Sequence, residues 1–324
     1  SSSVCSLGVV SVVMVALSHV RRPIPHSFVV AEIGAPFYRE CMIDLHTHTY
    51  CSDGTDSPAQ LMDAAASQGL SAVGVTDHDT IEGWAEAAGA VERTGVRLVR
   101  GMEMTTKFFD ESQSASVHML AYLFDPDSPA LAEHRRKMVS TREDRAREIV
   151  DRLTADFPIS WDDVVAVMEP GASVGRPHIA DALVKRGIIP DRSSAFTDLL
   201  SPRNKYYVPQ YAPNSLEAIE WICDAGGKAV FAHPLAETRG TVIPLEAVDE
   251  MAEAGLFGIE VHHRDNPPQR RDEISATAER LGLFQFGSSD YHGEGKPNRL
   301  AEHTTAPATL DALAHGAFLE VLNP

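Results

Sequence analysis

Cysteine is scarce in this sequence and is never paired. The four cysteines are Cys5, Cys41, Cys51 and Cys223. No two of them have the close spacing of a zinc finger, and they are too scattered for a small disulfide-stapled fold. We therefore expect free thiols, a reducing environment and a cytoplasmic location.

Long apolar runs are also missing. The stretch Leu7–Leu17 has eleven residues, too few to span a bilayer. No basic segment precedes it and no clear small-residue cleavage site follows it, so an added strand or a poorly ordered extension fits better than a signal peptide. We expect no membrane partner and treat residues 1–41 as an N-terminal extension of unknown role.

Basic residues are few relative to acidic ones. The chain has 28 Lys and Arg against 46 Asp and Glu, a formal net charge of -18. Proteins that coat nucleic acids are basic, so we expect no stable long nucleic-acid partner. A nucleotide or a short oligonucleotide remains a possible substrate at a local metal site, because bound divalent cations offset clustered carboxylates. The oligomeric state has no signal in the sequence.

What the chain does have is an alternation of strands and helices, interrupted once. In residues 42–125 and 214–324, seven short apolar strands alternate with helices. This pattern predicts an α/β domain with a mostly parallel sheet, either a barrel or an open sheet. Residues 126–213 read as helices only, so we expect a cap over the site or a small second domain there.

The first predicted strand carries the sharpest local motif. On a strand, residues two apart share a face, so Asp44, His46 and His48 lie on one side. Two imidazoles at this spacing can bind one metal ion, and Asp53 follows in a loop that can turn back towards a neighbouring ion. Two hydrogen-bonded structural histidines would give the same short motif.

Further His, Asp and Glu residues follow the other strands. Six of the seven predicted strands carry one at or just past the C-terminal end, where α/β proteins build their sites. The fourth strand is the exception, since His118 lies near its predicted start. Such ligands without cysteine suit Mn²⁺, Zn²⁺ or Fe²⁺, with Mg²⁺ as a further option, and their number implies two or three ions. Clustered divalent ions suit phosphoester hydrolysis.

Five motifs occur in order along the chain: DLHTHTYCSDGT, GVTDHDT, GME, AHP and SSDYHG. Together they resemble the PHP (polymerase and histidinol phosphatase) family of metal-dependent phosphoesterases, over nearly all of residues 42–300. The resemblance implies a distorted seven-stranded (β/α) barrel with a trinuclear metal site and an all-helical cap insertion.

The resemblance also implies roles for individual residues. The implied metal ligands form three sets: His46, His48, Glu103 and Asp290; Asp53, His78 and Glu103; and His118, His233 and His292. Within them, Glu103, Asp290 and His233 are the expected catalytic residues. We expect Asp44 to orient a histidine rather than to bind metal.

The helical insertion narrows the expected substrate. GRPHIADALVKRGI, AFTDLL and KYYVP look like the cap of PHP enzymes that act on nucleoside 3',5'-bisphosphates, and related members trim short RNA from the 5' end. The resemblance therefore implies removal of a 3'-phosphate or 5'-to-3' release of nucleotides. A 5'-phosphate needs cationic partners, and the candidate substrate-binding residues are Arg176, His178, Arg142, Arg135 and His263.

Three alternatives remain open. One is a phosphatase for another small phosphomonoester, such as histidinol phosphate. The second is a metal-binding regulatory module without turnover, which the complete ligand set disfavours. The third is an amidohydrolase acting on C–N bonds, a class that often uses a metal-bridging lysine, for which no strand end offers a candidate.

Overall fold

Seven strands form one sheet whose spatial order is the sequence order. A computed structural model of the chain describes residues 41–109, 114–168, 174–201, 203–209 and 211–324. The strands are β1 (Met42–Thr47), β2 (Leu70–Val75), β3 (Arg97–Phe109), β4 (Ser114–Tyr122), β5 (Lys228–Phe231), β6 (Gly258–His262) and β7 (Phe284–Gly287). The expectation for residues 1–41 concerns a segment that lies, apart from residue 41, outside the described residues.

Eleven α-helices are described alongside these strands. They are α1 (Pro58–Gln68), α2 (Trp84–Gly89), α3 (Val91–Thr94), α4 (Pro129–Thr154), α5 (Trp161–Val165), α6 (Arg176–Lys185), α7 (Arg192–Thr197), α8 (Ser215–Asp224), α9 (Val248–Glu253), α10 (Arg271–Leu281) and α11 (Pro307–Ala314). Helix α1 begins with a capping box, in which Ser57 accepts a hydrogen bond from the Gln60 amide, and Pro58 follows at the first helical position. None of the helices in the described part of the chain is both long and apolar enough to cross a membrane.

One strand of the sheet runs against the others. The pairs β1–β2, β2–β3, β5–β6 and β6–β7 are parallel, whereas β4 is antiparallel to both β3 and β5. The physical reason is the connection: only residues 110–113 separate β3 from β4, and a parallel crossover needs a dozen residues or more. Because β4 is reversed, its beginning lies at the sheet edge where the neighbouring strands end. The strand also begins earlier than predicted, so His118 is the fifth of its nine residues rather than near its start, and it pairs with Thr105 of β3.

The first and last strands also approach each other. Thr47 and Tyr291 form a parallel bridge, and the His48 amide donates to the Tyr291 carbonyl at 2.8 Å. The predicted α/β class with seven strands is therefore confirmed. The contact between Thr47 and Tyr291 is of the kind that a curled sheet requires, because it joins the first strand to the segment after the last one. Gly74 permits close packing of β1 on β2, since a Cβ there would lie 2.1 Å from the Leu45 carbonyl oxygen.

The core is divided among three clusters of buried side chains. Alternate residues of β4 enter two of them: Met119 joins the cluster built with helices α1, α8, α9 and α10, and Leu120 joins the one that contains Leu310 and Leu313 of α11. The third cluster joins the second half of α4 with α5, α6 and α7. Leu131, near the start of α4, belongs to the first cluster, so this 26-residue helix runs from one core to another. The boundaries of a cap at 126–213 remain a prediction.

Candidate metal centre

The loop after β1 is folded back by a network of short hydrogen bonds. Asp77 accepts from the amide and hydroxyl of Thr49 and from the Ser52 hydroxyl, each at 2.7 Å. Gly54 completes the turn, because a Cβ there would lie 2.6 Å from the His48 carbonyl oxygen. The result is that Asp53, predicted to turn back towards the motif, lies 3.8 Å from His48 Nδ1.

Four ligand atoms converge at the end of β1. His46 Nε2 lies 3.0 Å from His48 Nε2, 3.2 Å from Glu103 Oε2 and 3.3 Å from Asp290 Oδ1. His48 Nε2 lies 3.0 and 3.2 Å from the same two oxygens. A tetrahedral ion with bonds of about 2.0–2.1 Å has ligands about 3.3 Å apart, so these atoms fit one divalent ion. They are the first set implied by the resemblance.

Two further groups lie on either side of this one. One group has a ligand atom from each of four residues, all within 4.8 Å of one another: His48, Asp53, His78 and His292. In this group His292 Nε2 lies 3.1 Å from Asp53 Oδ1. On the other side, Glu103 Oε1 lies 2.8 Å from His118 Nδ1 and 3.0 Å from His233 Nε2.

This geometry corrects the grouping stated above. His292 belongs with Asp53 and His78, not with His118 and His233. Glu103 lies between the groups, because its Oε2 faces His46, His48 and His78 and its Oε1 faces His118 and His233. Five of the other eight implied ligands thus contact Glu103, and Asp290, Asp53 and His292 join the same cluster through His46 and His48. The expected catalytic residues Glu103, Asp290 and His233 are all part of it.

Several of these atoms are buried without a hydrogen-bond partner. They include Glu103 Oε2, Asp290 Oδ1, His78 Nδ1 and His292 Nε2. Unpaired buried polar atoms are costly in a folded protein, and their convergence here fits a cation as the missing partner. Burial lowers the pKa of His78 to about 3 and that of His292 to about 4. Both imidazoles are therefore neutral at pH 7, the state in which they bind metal.

The acidic members of the centre are ionised. Burial alone would raise the pKa of the Glu103 carboxyl, but the histidines around it outweigh burial and hold the pKa well below its usual range. Likewise burial opposes ionisation of Asp290, and Lys296 and Arg239 outweigh it. Carboxylates kept ionised in a buried pocket are suited to divalent cations.

Two of the ligand residues have strained backbones. His233 has a φ of 31° and Asp290 a φ of 53°, in the left-handed region that non-glycine residues rarely adopt. Each such residue costs of order 1–3 kcal/mol and persists only where its surroundings impose it. His233 lies two residues after the end of β5 and Asp290 three residues after the end of β7, so the unusual backbone occurs where the chain turns out of the sheet.

Glu260 is a functional residue that the sequence reasoning missed. It is fully buried on β6, accepts from His46 Nδ1 at 3.0 Å, and accepts from the His233 amide at 2.7 Å. Because His46 Nδ1 donates to this carboxylate, His46 Nε2 is left as the metal-binding atom. The available signal was one carboxylate inside the apolar strand FGIEV.

The expectation for Asp44 needs the matching correction. Its carboxylate accepts from the backbone amides of Ser289 at 3.1 Å and Ala301 at 2.8 Å. Asp44 therefore holds the segment that carries Asp290 in place. The side chain that orients the His46 ring is Glu260, because its carboxylate bonds His46 Nδ1.

The candidate substrate residues on α4 are engaged in contacts that the sequence did not indicate. Arg142 pairs with Asp79 in the loop after β2, where His134 also bonds the same carboxylate at 3.1 Å. Arg135 donates to the Pro126 carbonyl at 2.6 Å. These contacts support a role for Arg142 in docking α4 on the sheet domain, and substrate roles for both arginines remain predictions.

The other candidates lie near the centre or in the insertion. His263 is fully buried, its Nδ1 accepts from the Asp265 amide at 3.0 Å, and its Nε2 lies 3.8 Å from Asp290 Oδ2. His178, at the start of α6, accepts from the Gly175 amide at 3.0 Å. Burial lowers the pKa of its imidazole, and the charge of Asp53 acts in the opposite direction.

Arg176, which is half-buried, lies beside the buried Arg145. Each guanidinium lies against the Tyr207 ring, at 6.0 Å for Arg176 and 5.6 Å for Arg145. Burial and the adjacent charge of Arg176 lower the pKa of Arg145 to about 10. Two guanidinium groups this close make the local environment favourable for an anion.

Comparison with known proteins agrees with this architecture. The PHP domain model matches residues 44–157. The 3',5'-nucleoside bisphosphate phosphatase of Chromobacterium violaceum is 31% identical over 263 residues, which is 81% of this chain and 91% of that protein. The 5'-3' exoribonuclease of Haemophilus influenzae is 32% identical over 77% of this chain and 89% of that protein.

A solved structure gives the same picture. A protein of Bifidobacterium adolescentis, described as a metal-dependent phosphoesterase, is 41% identical and superimposes with a TM-score of 0.80, covering 85% of this chain and 96% of that one. The ordered motifs, the convergent ligand atoms and these relatives lead to one conclusion: the chain belongs to the PHP family.

Proposed function

We propose that this PHP-family phosphoric ester hydrolase removes the 3'-phosphate of nucleoside 3',5'-bisphosphates, or releases nucleotides 5'-to-3' from short 5'-phosphorylated RNA. The observation that supports the proposal is the presence of two sites that favour ligands of opposite charge. The strand ends gather ligands for divalent cations, and the helical insertion places the half-buried Arg176 where it is suited to a second, non-reacting phosphate.

At the strand ends, the chain's own residues prepare the centre for metal. Glu260 fixes the His46 ring, Asp77 fixes the loop that carries Asp53, and Asp44 fastens the segment of Asp290. Two or three divalent ions bound there, with Mn²⁺, Zn²⁺ and Fe²⁺ as candidates, would activate water and neutralise the reacting phosphate. Glu103 faces all the groups and would hold neighbouring ions at a fixed separation.

In the insertion, Arg176 is the best candidate for the 5'-phosphate. It makes no ion pair with any described carboxylate; its Nη1 donates to the Leu200 carbonyl at 3.2 Å, and its guanidinium lies 5.4 Å from the Phe196 ring. Within the described residues this half-buried cation is held by a carbonyl and aromatic faces and by no anion, and phosphate is an anion whose geometry suits guanidinium. His178 on the same turn of α6 would add a donor through Nε2, since its Nδ1 already accepts.

Relatives named as a phosphatase and as an exoribonuclease support the two forms of the proposal equally. Both substrates share a 5'-phosphate and differ in the reacting ester. A smaller phosphomonoester such as histidinol phosphate offers no second phosphate to the arginines, and a regulatory module would bind metal without turnover.

The test is a substrate comparison on one metal-loaded sample. Protein loaded with Mn²⁺ is assayed for release of phosphate or nucleotide from a nucleoside 3',5'-bisphosphate, a 5'-phosphorylated triribonucleotide and histidinol phosphate. We expect kcat/KM for one of the first two to exceed that for histidinol phosphate by about tenfold or more, the effect of one charge-assisted hydrogen bond. Equal values would contradict the role of the arginines, and no turnover of any of them would favour the regulatory module.

A further inference from the structure

Arg239 projects into the metal centre from a segment that no motif covers. It ends a short 3-10 turn (Glu237–Arg239) after β5, and its side chain is 26% exposed. Its Nε donates to Asp265 at 2.6 Å, its Nη2 bonds Asp290 Oδ2, and its Nη1 lies 3.1 Å from His233 Nε2. The guanidinium is thus fixed at one end by Asp265 and reaches two metal-site residues with the other.

The contact with His233 is incompatible with metal binding by the same atom. Nη1 has only hydrogens to donate, so a hydrogen bond between these atoms uses the lone pair of the His233 tautomer that is unprotonated at Nε2, an atom that also lies 3.0 Å from Glu103 Oε1. If that lone pair binds a metal ion, Nη1 loses its partner while Nε and Nη2 keep theirs. The loaded centre would then contain a fixed N–H donor with nothing to bind.

A surplus of donors surrounds Asp290 Oδ2 as well. Besides Arg239, Lys296 Nζ lies 3.4 Å from this oxygen and His263 Nε2 lies 3.8 Å from it. His263 Nε2 carries the ring proton, because Nδ1 accepts from the Asp265 amide, and it is buried without a hydrogen-bond partner. Arg239 and Lys296 both donate to this one oxygen, and the nearby His263 N–H has no hydrogen-bond partner among the described residues. Donors therefore outnumber acceptors here, and a further acceptor would fit.

Building on the proposed function, we propose that Arg239 binds the phosphoryl group that is hydrolysed, and that Asp265 is the positioning residue that holds it. The ligand is a tetrahedral oxyanion beside the ions, because a guanidinium fork fits two phosphate oxygens and Lys296 can reach the same group. This site is distinct from that of Arg176, which would hold the phosphate that is not hydrolysed.

Orthophosphate is the probe that tests this inference, since every phosphomonoesterase releases it. Its dissociation constant is measured by calorimetry on the Mn²⁺-loaded protein, with metal content determined on the same samples. We expect Arg239→Gln to weaken orthophosphate binding about 10- to 100-fold at unchanged metal content, and Asp265→Asn to weaken it about threefold to tenfold. Arg270→Gln is the matched control, because Arg270 pairs with Glu237 and Glu273 at the surface, and it should bind orthophosphate as the wild type does.

Two results would overturn the inference. One is wild-type orthophosphate affinity in fully metal-loaded Arg239→Gln. The other is loss of metal from Arg239→Gln while Arg239→Lys keeps both its metal and wild-type affinity, which would make Arg239 only a support for Asp290. If the wild type binds orthophosphate through Arg239 but does not hydrolyse bisphosphates or RNA, the proposed function fails and this inference stands.

Discussion

The strand ends and the helical insertion bury charges of opposite sign. Around Glu103 the sheet domain gathers carboxylates and imidazoles, several of whose buried atoms have no hydrogen-bond partner among the described residues. Around Tyr207 the insertion places the buried Arg145 and the half-buried Arg176. The first arrangement suits cations and the second suits anions, so one region would carry out the chemistry and the other would choose the substrate. Each prediction below tests this division.

The largest effect should come from the bridging carboxylate. Glu103→Gln removes the charge that faces five histidines, and we expect kcat/KM to fall on the order of a thousandfold, because a metal centre supplies several kcal/mol of catalysis. Metal content should fall in the same sample, while circular dichroism stays unchanged. Glu92→Gln, at an exposed position, is the control. Full activity in Glu103→Gln would show that the reaction does not depend on this metal centre.

The joint between the two regions should matter for stability. Asp79→Asn leaves Arg142 with its charge buried, 10% exposed, against a neutral partner. We expect the free energy of unfolding to fall by about 3 kcal/mol, the usual cost of breaking a buried ion pair. Urea denaturation measures this.

The exposed pair Asp63–Arg93 provides the contrast. Its side chains are 53% and 57% exposed, so Asp63→Asn should change the free energy of unfolding by no more than about 1 kcal/mol. Equal effects of the two substitutions would show that α4 is not fastened through Asp79.

A change in the insertion should affect binding and spare the chemistry. We expect Arg176→Gln to raise KM about 10- to 100-fold for a 5'-phosphorylated substrate, as for one lost charged hydrogen bond, with kcat nearly unchanged. For the same substrate lacking the 5'-phosphate, KM should not respond. Arg186→Gln is the matched control, since Arg186 is exposed and donates to the Pro158 carbonyl. A lower kcat with unchanged KM would place Arg176 in the chemical step.

The smallest effect expected is a pH dependence of metal binding. Burial disfavours the charged form of His48, but Asp290 and Glu103 outweigh it and raise its pKa to about 9. His48 therefore keeps a proton at pH 7 that a bound ion must displace, so metal affinity should rise with pH until about pH 9. We expect about tenfold tighter binding per pH unit for each proton released. Calorimetry in buffers of different ionisation enthalpy counts those protons, and none released would contradict the raised pKa.

The sequence predicted residues that the structure brings close together, and for most of them the physical reason is simple. Strand ends are marked by apolar runs, and a polar residue that follows such a run is confined to one edge of the sheet. Glu103 and His118 are exceptions, since both lie in the middle of long strands, and His118 comes near Glu103 because the short β3–β4 connection reverses β4. A short linker between two apolar runs is a local feature, so that reversal was open to prediction.

The sequence could not predict features that depend on the direction of a side chain or on contacts between residues far apart in the chain. The grouping of His292 with Asp53 is set by which side of Glu103 each ring occupies. Arg142 is drawn to Asp79, 63 residues away, and Arg239 lies in a loop without a recognisable pattern. Glu260 occupies a single position in an apolar strand, where its role depends on the distant His46.

The division between the two regions is tested most directly by the binding of a nucleoside 5'-monophosphate, the product that keeps only the 5'-phosphate. Its dissociation constant is measured on metal-loaded protein and on protein stripped by a chelator. If the insertion holds the 5'-phosphate, the two constants should agree within about threefold. A loss of more than about tenfold on stripping would place that phosphate at the strand ends and contradict the account.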